Sequence, residues 1–153
     1  MSIRIAINGF GRIGRNIVRA IYEHNLVDYR QSFEIVAIND LGCPQTNAHL
    51  LQFDSVHGRF NSQVDYDDHH LYINRDKIHL YQLKDPGQLP WKQLNIDLVL
   101  ECTGLFTHRK DAQRHIDAGA HKVLISAPGK DLDATIVYGV NHNTLTGQER
   151  IIS

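Results

Sequence analysis

Residues Gly9-Phe10-Gly11-Arg12-Ile13-Gly14 place three glycines in a G-x-G-x-x-G spacing, directly after an apolar run and directly before a segment of helical period. Few features constrain a fold as tightly. Gly9 permits a tight turn, Gly11 lets the backbone come close to a pyrophosphate, and Gly14 lets helix and strand pack without a Cβ between them. The unpaired amides and positive end of the following helix suit a diphosphate. The same glycines could serve a strand-to-helix turn alone, but their place after the first strand favours the binding reading.

The flanking segments agree. Ile3 to Ile7 is a β-branched run whose near-continuous hydrophobicity predicts a strand covered on both faces. Beyond the glycines, Ile13, Ile17, Ala20 and Ile21 recur at helical spacing, with Arg12, Arg15, Arg19 and Glu23 filling the opposite face. A second apolar run, Phe33 to Ile38, ends in Asn39-Asp40-Leu41-Gly42. A right-handed crossover then sets the two strands parallel in one sheet. Tyr66 to Leu83 alternates around Asn74-Arg75-Asp76 and predicts an antiparallel hairpin decorating the sheet edge. Leu98 to Leu100 predicts a buried strand, followed by a helix with Thr107 as N-cap and Gly119 as its left-handed end. Lys122 to Ser126 and Thr135 to Tyr138 supply two further strands. The expected fold class is α/β, a Rossmann-type doubly wound, mostly parallel sheet with a small antiparallel hairpin insertion.

Asp40 falls where a carboxylate can accept hydrogen bonds from adenosine ribose hydroxyls and repel a 2′-phosphate, which favours NAD over NADP. Its distance from the glycines exceeds the usual ~20 residues, and the polar connection His24 to Ser32 takes up the excess. A helix-capping role for Asp40 is the alternative.

Composition narrows the remaining classes. With 153 residues the chain is expected to form one domain spanning 1–153. Its 16 basic and 17 acidic residues leave a net charge of −1, so no field holds a polyanion, and nucleic acid is not an expected partner. No run approaches the ~18 apolar residues of a membrane span, and no targeting segment precedes the first strand, so a membrane is not expected either. Cys43 and Cys102 lie apart without zinc or disulfide spacing, which fits a reducing cytoplasm. Cys102, ending a strand, reads as a core thiol; Cys43, beside Pro44, lacks an activating base. His69-His70 adjoins Asp67-Asp68 and reads as a solvated turn rather than a metal site, because adjacent strand side chains point to opposite faces.

The segment Ile7 to Arg15 resembles the opening signature of the phosphorylating glyceraldehyde-3-phosphate dehydrogenases. Further matches are Ala37-Ile38-Asn39-Asp40-Leu41, Asp54 to Phe60, Thr103-Gly104-Leu105-Phe106, Ala118-Gly119-Ala120, Ser126-Ala127-Pro128 and Gly139-Val140-Asn141. The resemblance implies NAD as cofactor, held by the Gly9, Phe10, Gly11, Arg12, Ile13 and Gly14 turn, with Arg12 and Ile13 offering amides to the pyrophosphate. It implies Asn39 and Asp40 at the adenosine ribose, Lys84 beside the adenine, Thr103 and Gly104 bordering the cleft, and Ser126 near the nicotinamide. Leu83-Lys84-Asp85-Pro86 departs from the family's usual Glu-Arg-Asp-Pro.

The nucleophilic cysteine, its partner histidine and the substrate phosphate sites have no counterpart in this sequence. No catalytic and no metal-binding residue is therefore expected here. The chain is read as the cofactor half of a glycolytic enzyme, truncated or encoded short, whose catalytic domain would follow Ser153. Glyceraldehyde 3-phosphate and phosphate would bind only the complete enzyme, a homotetramer in the family. Alone, the chain is expected to bind NAD, oxidise no aldehyde and self-associate through uncovered apolar surface. The cofactor domain of an erythrose-4-phosphate dehydrogenase is an alternative reading, and a free-standing nucleotide-binding module is another.

Overall fold

The computed structural model describes residues 1–23 and 32–153. The polar connection expected to lengthen the first crossover therefore lies outside the described residues, apart from Ser32.

The first strand, β1 (Ile3–Asn8), pairs in parallel with β2 (Phe33–Asn39) on one side and with β8 (Leu98–Glu101) on the other. In both β1 and β2 the last four residues are buried without alternation, as a parallel strand sandwiched between helical layers requires. Helix α1 (Arg12–Glu23) lies between β1 and β2 in the chain, and α3 (Arg109–Asp117) between β8 and β9 (Lys122–Ile125). The short helix α2 (Pro44–Gln52) follows β2.

The main sheet has the order β10-β9-β8-β1-β2-β7-β6-β5, where β5 is Val64–Tyr66, β6 His70–Ile73, β7 Asp76–Tyr81 and β10 Ile151–Ile152. Chain order runs outward in opposite senses from β1, which makes the carboxyl ends of β1, β2 and β8 a topological switch point, where open α/β sheets bind ligands. A separate antiparallel pair joins β3 (Phe53–Asp54) to β4 (Gly58–Arg59).

One face of the sheet packs Ile5, Ile7, Ile38 and Leu100 against Val18, Leu51 and Phe60; the other packs Ala6, Ala37 and Val99 against Trp91, Ala112 and Ile116.

Four local expectations need correction. The hairpin around Asn74 forms, with Asn74 at φ 54°, yet it is more than an edge decoration. Strand β7 pairs in parallel with β2 and so supplies the sheet's next strand, with β6 and β5 added antiparallel outside it.

The inward face of α1 is Gly14, Val18 and Arg19, with Ile17 and Ile21 of the expected face packed partly buried against the core, while Ile13 and Ala20 are exposed. Arg19 turns inward because the Leu51 and Gly58 carbonyls accept its guanidinium N–H groups at 2.8–3.1 Å and the Phe60 ring lies 5.4 Å below it.

The N-cap of helix α3 is His108, one residue later than the expected Thr107. Lys130 donates its amide to the Thr107 carbonyl and accepts from Arg109, which holds His108 extended as the N-cap. Gly119 does end that region with φ 113°.

Thr135 to Tyr138 forms no strand. The Asn141 side chain accepts from Val137 N–H and donates to the Thr135 carbonyl, taking groups a ladder would need. Ile151–Ile152 instead pairs with β9.

Candidate functional site

The turn from β1 into α1 is held by close backbone packing. Gly9 has φ 92°, and a Cβ there would stand 2.7 Å from the Thr103 amide nitrogen. A Cβ on Gly14 would meet the Gly9 carbonyl oxygen at 2.5 Å. Gly11 differs: nothing lies within 4 Å of the place its Cβ would take. Two of the three glycines thus permit internal contact, and the middle one borders open space.

The first bond into α1 runs from Arg15 N–H to the Gly11 carbonyl at 3.0 Å, so the earlier amides of that turn face away from the helix body. Arg15 also reaches the Phe10 carbonyl at 2.8 Å. The Arg12 guanidinium is drawn to Asp54 at 3.2 Å, leaving its backbone in the exposed first turn.

Asp40 follows β2 and turns back on the glycine loop. Its Oδ1 accepts from Phe10 N–H and its Oδ2 from Gly42 N–H, both at 2.9 Å. It does not cap the next helix, whose N-cap is Cys43 with no side-chain bond.

A cavity of about 520 Å³ opens over these carboxyl ends. Gly9, Gly11, Asn39, Asp40, Lys84 and Thr103 of the expected set line it together. The others lie elsewhere. Phe10 buries its ring in the core. Arg12 and Ile13 are exposed on the first turn of α1, Gly14 packs beneath Gly9, and Gly104 is exposed at φ 72°. Ser126 borders a second cavity of about 360 Å³ with Leu124, Thr135 and Val137, and Cys102 lines both cavities. Burial pushes the Cys102 thiol up to about 11, although a hydrogen bond with Ser126 opposes this.

Beneath the cavity runs a polar belt that reading the sequence missed. Asn39 accepts from Leu83 N–H at 2.9 Å and donates to the Asn8 side-chain oxygen at 2.7 Å, and Asn8 donates to Glu101 at 2.7 Å. The belt crosses the neighbouring ends of β2, β1 and β8. Glu101 is 1% exposed, and His115 on α3 reaches it at 2.7 Å while accepting from Trp91 at 3.0 Å. The available signal was an acid closing the apolar run Leu98 to Leu100.

Among the described residues, no cluster of three or more His, Cys, Asp or Glu side chains has a metal-holding arrangement, and no helix is long and apolar enough to cross a membrane. His70 instead binds Asp67 at 3.0 Å.

A switch-point cavity, a glycine turn opening a helix and an acid ending the second strand together define a dinucleotide-binding domain of the doubly wound class. Residues 3–109 match the family described as glyceraldehyde 3-phosphate dehydrogenase, NAD binding domain, and the chain belongs to that family. Its whole length is 56% identical to a glyceraldehyde-3-phosphate dehydrogenase of Pseudomonas aeruginosa, over 45% of that protein. Over 154 aligned residues it is 54% identical to the plasmid-encoded glyceraldehyde-3-phosphate dehydrogenase of Cupriavidus necator, again over 45% of the relative, and the Xanthobacter flavus protein of the same name is 50% identical. The chain spans under half the length of these curated relatives.

Proposed function

We propose that residues 1–153 hold NAD in the cavity at the ends of β1, β2 and β8, and that they form the cofactor domain of a phosphorylating glyceraldehyde-3-phosphate dehydrogenase. The observation that carries this is the Asp40 carboxylate fixed to Phe10 N–H beside the open space at Gly11.

The residues fit the dinucleotide in a definite order. Arg12 and Ile13 offer first-turn amides to the pyrophosphate where Gly11 leaves room for it. Asp40 and the adjoining Asn39 take the adenosine ribose, and Lys84 flanks the adenine. Thr103 and Gly104 border the cleft, and Ser126 lies toward the nicotinamide. Phe10 and Gly14 act by shaping the turn. Bound NAD supplies a hydride acceptor at its nicotinamide ring.

The aldehyde chemistry belongs to residues beyond this chain. Its thiols are not the nucleophile in this reading: burial holds Cys102 in the protonated form, and Cys43 does not line the cavity. The complete protein, read as a cytoplasmic homotetramer, would oxidise glyceraldehyde 3-phosphate with phosphate uptake and reduction of NAD.

The test is spectrophotometric. The complete gene product should form reduced nicotinamide from NAD only when glyceraldehyde 3-phosphate and phosphate are both present, while residues 1–153 alone should bind NAD without turnover. Turnover by these residues alone would contradict the assignment of the chemistry elsewhere, and faster turnover of erythrose 4-phosphate by the complete protein would replace the substrate.

A further inference from the structure

Glu101 receives four hydrogen bonds: from Thr103 N–H and the Thr103 hydroxyl at Oε1, and from Asn8 Nδ2 and His115 Nε2 at Oε2. The direction of each can be traced to a group that has no choice. Leu83 N–H occupies Asn39 Oδ1, so Asn39 presents its amide nitrogen to Asn8 Oδ1, and Asn8 in turn presents its nitrogen to Glu101. The Trp91 indole, which can only donate, occupies His115 Nδ1 and so puts the hydrogen on Nε2, facing Glu101. Leu105 N–H occupies the Thr103 oxygen at 3.1 Å, which turns the hydroxyl hydrogen toward Glu101.

Every polarity in the belt therefore converges on one acceptor, and the side chain there must accept on both oxygens and donate on neither. A carboxylate meets that demand; a carboxamide does not, because its NH₂ would face donors whichever way it turned.

We propose that Glu101 is a positioning residue for the cofactor cleft, acting through Thr103, with His115 as the partner that holds it in place. Of the hydrogen-bond partners of Glu101, Thr103 and Asn8 line the cavity. Through Thr103 it fixes the wall formed after β8, and through Asn8 and Asn39 it ties that wall to the Leu83 side, after β7. The separation of the two walls is thereby set from below, and a supporting shell of this kind decides how well a site fits its ligand. The inference rests on the reading that this cavity holds NAD.

The experiment titrates NAD calorimetrically into the unsubstituted chain and into Glu101→Gln, His115→Leu and His115→Gln, each first checked for cooperative thermal unfolding. The single tryptophan, Trp91, supplies an indole N–H resonance that reports its bond to His115, and the Thr103 amide resonance reports its bond to Glu101. Glutamine at 115 retains an acceptor for Trp91 and a donor for Glu101; leucine retains neither.

Glu101→Gln should shift the Thr103 amide and weaken NAD about tenfold. His115→Leu should shift both resonances and weaken NAD by a smaller factor, and His115→Gln should restore both resonances and most of the affinity. If Glu101→Gln does not fold, the contrast between Leu and Gln at 115 carries the test.

Folded variants whose Thr103 amide has moved but whose NAD affinity is unchanged would overturn the proposal. So would equal weakening by Leu and Gln at 115. Absence of NAD binding by the unsubstituted chain would instead refute the reading of the cavity, and the proposal with it.

Discussion

Asp40 Oδ1 accepts the Phe10 amide hydrogen at 2.9 Å, so the acid that ends β2 is locked to the turn that opens α1. The Gly9 amide also donates to the Asn39 carbonyl at 2.8 Å, so the end of β2 is tied to this turn twice, and Asp40 Oδ2 closes its own loop on Gly42. Both oxygens are oriented by backbone amides before any ligand arrives, which lowers the ordering cost of binding.

The three glycines should separate fold from function. Gly9→Ala forces a side chain into a φ of 92° and against the Thr103 backbone, so it should cost about 2 kcal/mol or more in thermal or denaturant unfolding. Gly11→Ala meets no protein atom and should leave stability within about 0.5 kcal/mol. It should nevertheless weaken NAD about tenfold or more, because the new methyl occupies the space proposed for the pyrophosphate. An unchanged NAD affinity in Gly11→Ala, measured by calorimetry, would move the pyrophosphate away from this turn.

Arg19 should behave as a core residue. Arg19→Met removes the donors that satisfy the Leu51 and Gly58 carbonyls and should destabilise the chain by about 3 kcal/mol in chemical denaturation. Arg19→Lys should recover only part of this, since a lysine ammonium cannot span both carbonyls as the planar guanidinium does.

The acid limb of stability should depend on Asp133 and Glu149. Amide donors from Ile151 and Arg150, helped by Arg109, hold the Asp133 carboxyl at about 2, below its ordinary 3.8. Thr146 N–H holds Glu149 at about 2, below 4.5. A depressed folded value means the stabilisation is fully present above the ordinary value and disappears as pH falls through the folded one. Stability should thus decline between about pH 4.5 and 2. Asp133→Asn should be less stable at pH 7 and show a shallower decline across that window, measured by urea unfolding at each pH.

The two thiols should react at different rates. Cys43 is exposed and its thiol lies below the ordinary value through its hydrogen bond with Thr46, whereas burial raises Cys102 to about 11. Iodoacetamide at neutral pH, followed by peptide mass spectrometry, should label Cys43 well before Cys102. Faster labelling of Cys102 would contradict its burial and return it to consideration as a nucleophile.

Backbone demands were the legible part. A strand buried on both faces, glycines at a strand-to-helix turn and an acid ending the next strand each follow from local rules, and β1, α1, β2 and Asp40 lie where those rules put them. Long-range polar pairing was the illegible part. Counting charge as solvent-facing sent Arg19 outward, because no local pattern announces the carbonyls of Leu51 and Gly58 that draw it in. Thr107 has the right chemistry for a cap, but the bridge of His108 to Lys130 comes from a distant segment. Thr135 to Tyr138 has strand propensity, yet Asn141 claims its backbone groups. The belt from Leu83 to Glu101 escaped for the same reason, since its members come from the ends of different strands.

The most direct test of the central claim is calorimetric titration of NAD and NADP into this chain and into its Asp40→Ala variant. NAD should bind the unsubstituted chain more tightly than NADP, because Asp40 repels the 2′-phosphate, and the substitution should narrow that gap about tenfold or more. Equal affinities for the two nucleotides, or a gap unmoved by Asp40→Ala, would contradict the role given to Asp40 and with it the placement of the dinucleotide.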